Sequence, residues 1–346
     1  MNDIINTFIK NRRLSPGEYE ELIKSYSPEN AELLKKEADR LRREVYGNRI
    51  FIRGLIEISN ICKNDCLYCG IRKSNKSCSR YRLTKEEILL CCERGYSLGF
   101  RTFVLQGGED GFFTVDFLTD LIKEIKSRYP DCAVTLSLGE KTKQDYIELK
   151  RAGADRYLLR HETADSMHYA RLHPPSLTLS ERKRCLYDLK EAGFQTGCGF
   201  MVGSPFQTEK TLAKDLKFIE EFCPEMCGIG PFIPHSDTPF GDFPPGSVDF
   251  TCYLLSIIRI MHPDILLPAT TAMGTLQKNG REKAIEAGAN VIMPNLSPED
   301  AKNRYTLYNN KLHTGAESAE KLDLLKQQIK NIGYEIVCDR GDTERK

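Results

Sequence analysis

The rhythm of apolar positions changes near residue 48. Before it, Leu33, Leu34, Ala38 and Leu41 recur at helical spacing behind Ser27-Pro28. Ser15-Pro16-Gly17-Glu18 likewise opens a helix, with an N-cap serine, proline at the first helical position and glutamate at the third. Residues 1–47 therefore predict a helical extension whose intervening Lys and Arg form a solvated face. After residue 48, short apolar runs alternate with longer helix-like segments. Strands are predicted at Phe51–Ile58, Thr102–Gln106, Ala133–Leu138, Arg156–Leu159, Gln195–Met201, Met226–Gly230, Ile265–Ala269 and Asn290–Pro294. Helices are predicted between them at Thr84–Leu98, Val115–Tyr129, Lys143–Arg151, Leu179–Glu191, Glu209–Phe222, Phe250–Met261 and Arg281–Glu286. Eight such alternations predict an α/β fold, a (βα)8 TIM barrel over 48–312, with a C-terminal helix and tail over 313–346. An open doubly wound sheet is the alternative, and it would need a reversal of strand order.

An internal echo supports the repeated unit. Gly99, Gly153, Gly193 and Gly288 each close a helix just before a strand, where glycine accepts the left-handed conformation. Polar residues gather at the strand ends, the catalytic rim of a parallel barrel. These ends read Ser59-Asn60, Gln106-Gly107-Gly108-Glu109-Asp110, Thr135 and Ser137 with Glu140, Arg160-His161-Glu162-Thr163, Thr270-Thr271 and Met293-Pro294-Asn295. Bland readings exist for each. Gly107-Gly108 could be a turn, His161 a satisfied core histidine, Arg160 and Glu162 a structural pair, Thr270-Thr271 a helix cap, and Met201 and Met293 core filler.

Composition narrows the class. The chain has 346 residues and a net charge of +1, so neither nucleic acid nor an anionic membrane is an expected partner. No apolar run approaches the roughly 20 residues of a membrane span. The N-terminus lacks a basic region followed by an apolar one, so no secretory signal is expected. Thirteen cysteines in such a chain fit a reducing cytoplasm better than a disulfide framework.

Three of these cysteines carry the chemistry. Cys62, Cys66 and Cys69 stand in the spacing C-x3-C-x2-C directly after the first apolar strand. Thiolates bind iron–sulfur clusters and soft metals, and a 4Fe–4S cluster needs four protein ligands to close. Three would leave one iron open for chemistry. The bland alternative is a structural zinc knot, with Cys78 as the nearest fourth thiol.

The cysteine loop, with Tyr68 before the last cysteine and Gly107-Gly108-Glu109 after the next strand, resembles the radical S-adenosylmethionine (SAM) superfamily. The longer runs Val104–Asp110, Val134–Glu140, Ala154–Thr163, Gly228–His235, Pro268–Gly274 and Ala289–Asn295 resemble its HydE-type FeFe-hydrogenase maturases, from about residue 45 to 312. The resemblance implies one 4Fe–4S cluster and SAM as cofactors. It implies reductive cleavage of SAM to a 5′-deoxyadenosyl radical during assembly of the hydrogenase di-iron subcluster. The radical would attack the sulfur of a cysteine-bound iron carbonyl cyanide, or start its remodelling. It further implies cluster ligation by Cys62, Cys66 and Cys69, and SAM contacts from Tyr68, Gly107, Gly108, Glu109, Ser137, Glu162, Arg182 and Met201. Arg53, Thr135, Arg156, Arg160, Thr270, Thr271, Tyr305 and Tyr308 would line a substrate cavity, with Arg160 and Glu162 as catalytic residues. Arginine forks and hydroxyls suit an anionic organometallic or cysteine-derived substrate. Partners implied are companion maturases of the HydG and HydF kinds and an external electron donor. The alternative within the superfamily is a biotin-synthase-like or methylornithine-synthase-like enzyme acting on a small amino acid or cofactor precursor. Some family members bind a second, 2Fe–2S cluster near the C-terminus. Here Leu312–Lys321 contains no cysteine, so a single cluster is expected.

Overall fold

Alternating inward and outward side chains build this fold. The computed structural model describes residues 3–312 and 318–345. Its strands are β1 (Arg49–Ile52), β2 (Gly54–Ser59), β3 (Thr102–Gly107), β4 (Ala133–Ser137), β5 (Arg156–Leu158), β6 (Gln195–Cys198), β7 (Met201–Val202), β8 (Met226–Cys227), β9 (Gly230–Pro231), β10 (Val291–Ile292) and β11 (Glu335–Val337). A parallel sheet runs in the order β2-β3-β4-β5-β6-β8. Parallel bridges Met226–Leu266, Pro268–Val291 and Leu55–Asn295 carry the ring through 265–269 and β10 back to β2. The ring is thus closed, and the open-sheet alternative is set aside. Within β3, β4 and β5 the residues Phe103, Leu105, Val134, Leu136, Tyr157 and Leu159 join the main apolar core beneath the helices. Val104, Thr135, Arg156 and Arg160 are of the opposite parity and face inward.

Three predicted strands are interrupted: Met226–Gly230 divides into β8, which pairs with β6, and β9, which pairs with β7, and the other two break as follows. The run Phe51–Ile58 divides at Arg53: β1 pairs with β10 and β11, whereas β2 pairs with β3. The run Gln195–Met201 breaks at Gly199, which has φ 151° and where a Cβ would lie 2.1 Å from the Gly228 carbonyl oxygen. The segment 265–269 makes isolated bridges instead of a strand, and Pro268 lacks an N–H for the ladder.

The helical signals also hold. Ser15 caps the helix Pro16–Lys24 in a reciprocal capping box with Glu18, and Thr84 does the same with Glu87 for Lys85–Ser97. Gly99, Gly153, Gly193 and Gly288 have φ between 85° and 110°. The N-terminal helix Pro28–Tyr46 packs on Val248–Met261, outside the barrel. Among the described residues no helix is long and apolar enough to cross a membrane.

Candidate active site

The stretch between β2 and the next helix has almost no regular structure, yet side chains pin it throughout. Asn60 donates its amide to the carbonyls of Ser79 and Arg304, both at 2.8 Å, and accepts the Tyr81 N–H at 2.8 Å. The Arg80 guanidinium donates to the carbonyls of Asn60, Ile71, Arg72 and Asn75. Asp65 accepts from Arg72 Nε at 2.7 Å and Ser74 Oγ at 2.7 Å. These bonds fix the loop that presents Cys62, Cys66 and Cys69, all unbridged.

The three thiols lie within each other's electrostatic reach. Burial, then the neighbouring Cys69 and Cys62, push the Cys66 thiol far above the usual range. Burial, with Cys62 nearby, pushes Cys69 up to about 12. Cys62 is also raised by burial, and its sulfur accepts the Glu109 N–H at 3.4 Å. Among the described residues no three His, Cys, Asp or Glu side chains converge closely enough to hold a single ion.

The Gly107-Gly108 turn is fitted to this loop. A Cβ on Gly108 would lie 2.2 Å from the Ile61 carbonyl oxygen and 2.8 Å from the Cys62 Cβ. Any side chain there would displace the first cysteine. The two acids that follow divide their work. Asp110 is structural, held by Arg82 at 2.6 Å and Ser59 at 2.7 Å. Glu109 accepts the Glu140 N–H at 3.1 Å, while its other, buried oxygen has no hydrogen bond and lies 3.2 Å from the Lys63 ammonium.

Beyond β5 the backbone is strained. Glu162 is buried with φ 63°, a left-handed conformation rare outside glycine. Its N–H donates to the Gly199 carbonyl at 3.0 Å. One Glu162 oxygen has no hydrogen bond and lies 3.4 Å from Arg160 Nη2. Nε and Nη2 of Arg160 also lack hydrogen-bond partners. Arg182 binds the Glu140 carboxylate at 2.5 Å and the Arg160 carbonyl at 2.7 Å, tying this strand end to the preceding one. His161, by contrast, turns into the wall. It accepts the Gly199 N–H at 3.2 Å, its Nε2 lies 3.4 Å from the buried Asp215 carboxylate without a hydrogen bond, and burial holds it down to about 3.

Other expected site residues gather around this centre. Tyr68 and Met201 share one apolar cluster with Leu172, Phe232 and Phe240, and the Tyr68 hydroxyl meets His173 Nε2 at 3.1 Å. Ser137 ends β4 in register with Gln106. Thr135 and Thr270 face inward with buried hydroxyls that have no hydrogen-bond partner. Thr271 opens the short helix Thr271–Leu276. Burial raises the Tyr308 hydroxyl, with Thr275, Glu57 and Arg160 as its neighbours. The Tyr305 hydroxyl accepts from Gln106 Nε2 at 3.4 Å.

Two expectations need correction. Arg53 and Arg156 do not join this group, because they stand at the starts of β2 and β5 and emerge at the opposite end of the barrel. There Arg53 donates to the Gly341 carbonyl at 3.3 Å, and Arg156 to the Arg340 carbonyl at 2.7 Å and to the Asp342 carboxylate. Sequence reasoning also missed a buried pair at the cavity wall. Lys311 Nζ donates to Glu57 at 2.5 Å, and Asn295 donates to the same carboxylate at 2.8 Å. The signal was present: Glu57 has the parity of Arg53 and Leu55 in an otherwise apolar strand.

Comparison with known proteins agrees with this geometry. Residues 56–219 match the family model described as the radical SAM superfamily. The FeFe-hydrogenase maturase subunit HydE of Thermotoga maritima is 44% identical over 91% of this chain and 89% of its own length. The chain is a radical SAM enzyme closely related to HydE. More distant radical SAM relatives include the 3-methylornithine synthase of Methanosarcina acetivorans, 27% identical over 85% of this chain and 83% of that protein. The crystal structure of methylornithine synthase (PylB) superposes with a TM-score of 0.83 at 24% identity, covering 97% of both chains, which supports the barrel. Enzymes of this superfamily use a 4Fe–4S cluster and SAM. The residues fit both groups. Three mutually close thiols are free, Gly108 leaves space that a Cβ would fill, and Glu109, Arg160 and Glu162 carry buried polar atoms without hydrogen bonds.

Proposed function

We propose that this radical SAM enzyme acts as a HydE-type maturase in building the di-iron subcluster of FeFe-hydrogenase, in the cytoplasm and beside companion maturases. The observation that carries this reading is the 44% identity to HydE extending over nine-tenths of the chain. When bound, the cluster and SAM supply a one-electron cleavage of a carbon–sulfur bond that yields a carbon radical. The chain's own residues bind, orient and shield. Cys62, Cys66 and Cys69 would hold the cluster. Their raised thiols must lose protons on loading, so assembly releases protons. The Gly107–Glu109 turn and Glu162 would take the ammonium and ribose of SAM, together with Ser137 and Arg182. Tyr68 and Met201 would pack against its apolar surface. Arg160, Thr135, Thr270, Thr271, Tyr305 and Tyr308 would receive an anionic substrate. Arg160 has two nitrogens without hydrogen bonds to offer it, and a charge-assisted bond is the strong kind.

The test is deletion of the gene in a host that makes FeFe-hydrogenase. Loss of hydrogenase activity, restored by the wild-type gene but not by Cys66→Ala, is the expected result. Full activity in the deletion strain overturns the assignment. A second reading, an enzyme like 3-methylornithine synthase acting on a small amino acid, draws on the 27% identity over 85% of the chain. It would gain if the purified enzyme formed 3-methylornithine from a small amino acid and left the hydrogenase pathway untouched.

A further inference from the structure

The short helix Ser166–Leu172 follows the strained Glu162 and lies against the cysteine loop. Asp165 caps it by accepting the His168 N–H at 2.8 Å. At its far end the Leu172 carbonyl accepts the N–H of Leu67, the residue between Cys66 and Tyr68, at 3.0 Å. Leu172 also shares the apolar cluster of Tyr68 and Met201. The helix is therefore fixed to the segment that presents the thiols.

Its buried polar side chains differ in how they are satisfied. His168 has a partner on each ring nitrogen: Nδ1 meets the Thr163 hydroxyl at 3.1 Å and Nε2 the Pro205 carbonyl at 2.9 Å. His173, just past the helix, meets the Tyr169 carbonyl through Nδ1 at 3.0 Å and the Tyr68 hydroxyl through Nε2 at 3.1 Å. A carbonyl only accepts, so Nδ1 of His173 carries the proton and Tyr68 donates to Nε2. The Tyr169 ring stacks on His173 with centroids 3.9 Å apart, yet its hydroxyl has no hydrogen-bond partner. Tyr169 is 1% exposed, so bulk solvent does not reach it. A buried hydroxyl left unpaired costs stability.

What surrounds that hydroxyl points to a ligand. Arg182, Glu140, Cys66 and Glu162 all lie within its electrostatic reach. Three of these, Cys66, Glu162 and Arg182, belong to the proposed cluster and SAM site. Glu140 is already engaged by Arg182 at 2.5 Å. Burial raises the phenol, so it keeps its proton and stands ready to donate. A donor beside a guanidinium suits an anion, and SAM carries one in its methionyl carboxylate.

We propose that Tyr169 is a SAM-binding residue whose hydroxyl donates a hydrogen bond to the methionyl carboxylate beside Arg182. The proposal rests on the radical SAM reading and adds to it a residue outside the cysteine and glycine motifs. His173 backs the arrangement, since one imidazole both stacks on Tyr169 and holds Tyr68. No bond is made or broken at Tyr169; it selects and orients the amino-acid end of SAM.

Tyr169→Phe removes the hydroxyl and keeps the stacked ring. Binding is measured by calorimetry on cluster-loaded, unreduced protein, so that no cleavage intervenes. The ligands are SAM, S-adenosylhomocysteine and 5′-methylthioadenosine, of which the last lacks the carboxylate. The variant should bind the first two about ten-fold more weakly than wild type, and 5′-methylthioadenosine equally well. Its iron content should be unchanged. Its melting temperature without SAM should be no lower than that of wild type, because the hydroxyl removed had no partner to lose. Unchanged affinity for SAM overturns the proposal. So does equal weakening of all three ligands, which would place the hydroxyl away from the carboxylate. Loss of iron, or a lower melting temperature without SAM, also overturns it, since the hydroxyl would then serve the fold. Failure of loaded wild-type protein to bind SAM at all would instead overturn the radical SAM reading, and the role of Tyr169 with it.

Discussion

Arg156 and Arg160 sit four residues apart, begin and follow the same strand, and share the inward parity, yet the molecule treats them oppositely. Arg156 is fully buried and satisfied by its own chain. It donates to Gln195, to Thr102 and to the Arg340 carbonyl, and it pairs with the Asp342 carboxylate. Arg160, at the mouth, has two nitrogens without hydrogen bonds and a strained Glu162 beside it. A buried polar group without a partner costs stability, so a fold keeps one where something else will bind. The difference teaches that neither charge nor position on an inward face identifies a site arginine. What sets the two apart is whether the chain's own acceptors satisfy the guanidinium nitrogens.

That contrast can be broken by substitution. The largest effect is expected at the cysteines. Cys66→Ala should abolish both iron loading and formation of 5′-deoxyadenosine while leaving a folded barrel, as iron analysis and circular dichroism would report. Retained cleavage would remove the cysteine loop from the chemistry. Next, Arg160→Met should lower substrate turnover by about 100-fold, in line with the loss of a strong, oriented charge contact. SAM cleavage without substrate and thermal stability should stay near wild type. Equal loss of cleavage and turnover would move Arg160 into the SAM shell.

Arg156→Met should show the reverse. Breaking a buried pair strands its partner, and here the cost should be about 2–4 kcal/mol, reduced because Asp342 is partly exposed. Cleavage per folded molecule should persist. A stable Arg156→Met protein that fails in turnover would return Arg156 to the substrate cavity.

The smallest effect separates the two ends by pH. Burial holds His161 and His173 down to about 3, from an ordinary 6.5. In the unfolded chain they take up protons as pH falls below 6.5, whereas in the folded one they do not until about 3. The stability these two histidines contribute is therefore present above 6.5 and declines by about 1.4 kcal/mol per pH unit per histidine as pH drops towards 3, offset in part by Asp215 beside His161, which burial raises to about 8 and which therefore opposes one of the two. At the floor, Asp342 is held down to about 2, chiefly by Arg156 against the opposing pull of burial, so its contribution is lost only between 3.8 and 2. Hydrogen exchange near pH 5 should loosen the mouth before the floor. Loosening in the opposite order would contradict this account.

Much of the barrel was legible because its signals are local. The period of two in Val104, Thr135 and Ser137, the C′ glycines 99, 153, 193 and 288, and the C-x3-C-x2-C spacing all act within one element. The floor was not legible, because residues 339–345 return from the far end of the chain to cover it. The tail binds Arg53 and Arg156 and, through Arg345, Asp264 at 2.5 Å. Glu57 and Lys311 escaped for the same reason, since they meet across more than 250 positions. The roles drawn for Arg53 and Arg156 came from a resemblance that carried residue types without their depth in the barrel. The expectation of a single cluster rests on the sequence, since residues 313–317 lie outside the described residues.

The most direct measurement is spectroscopic. Anaerobically reconstituted protein should contain about four irons per chain, and the electron paramagnetic resonance of its reduced cluster should change when SAM is added. About six or more irons, zinc in place of iron, or a spectrum indifferent to SAM would contradict an open iron held by Cys62, Cys66 and Cys69.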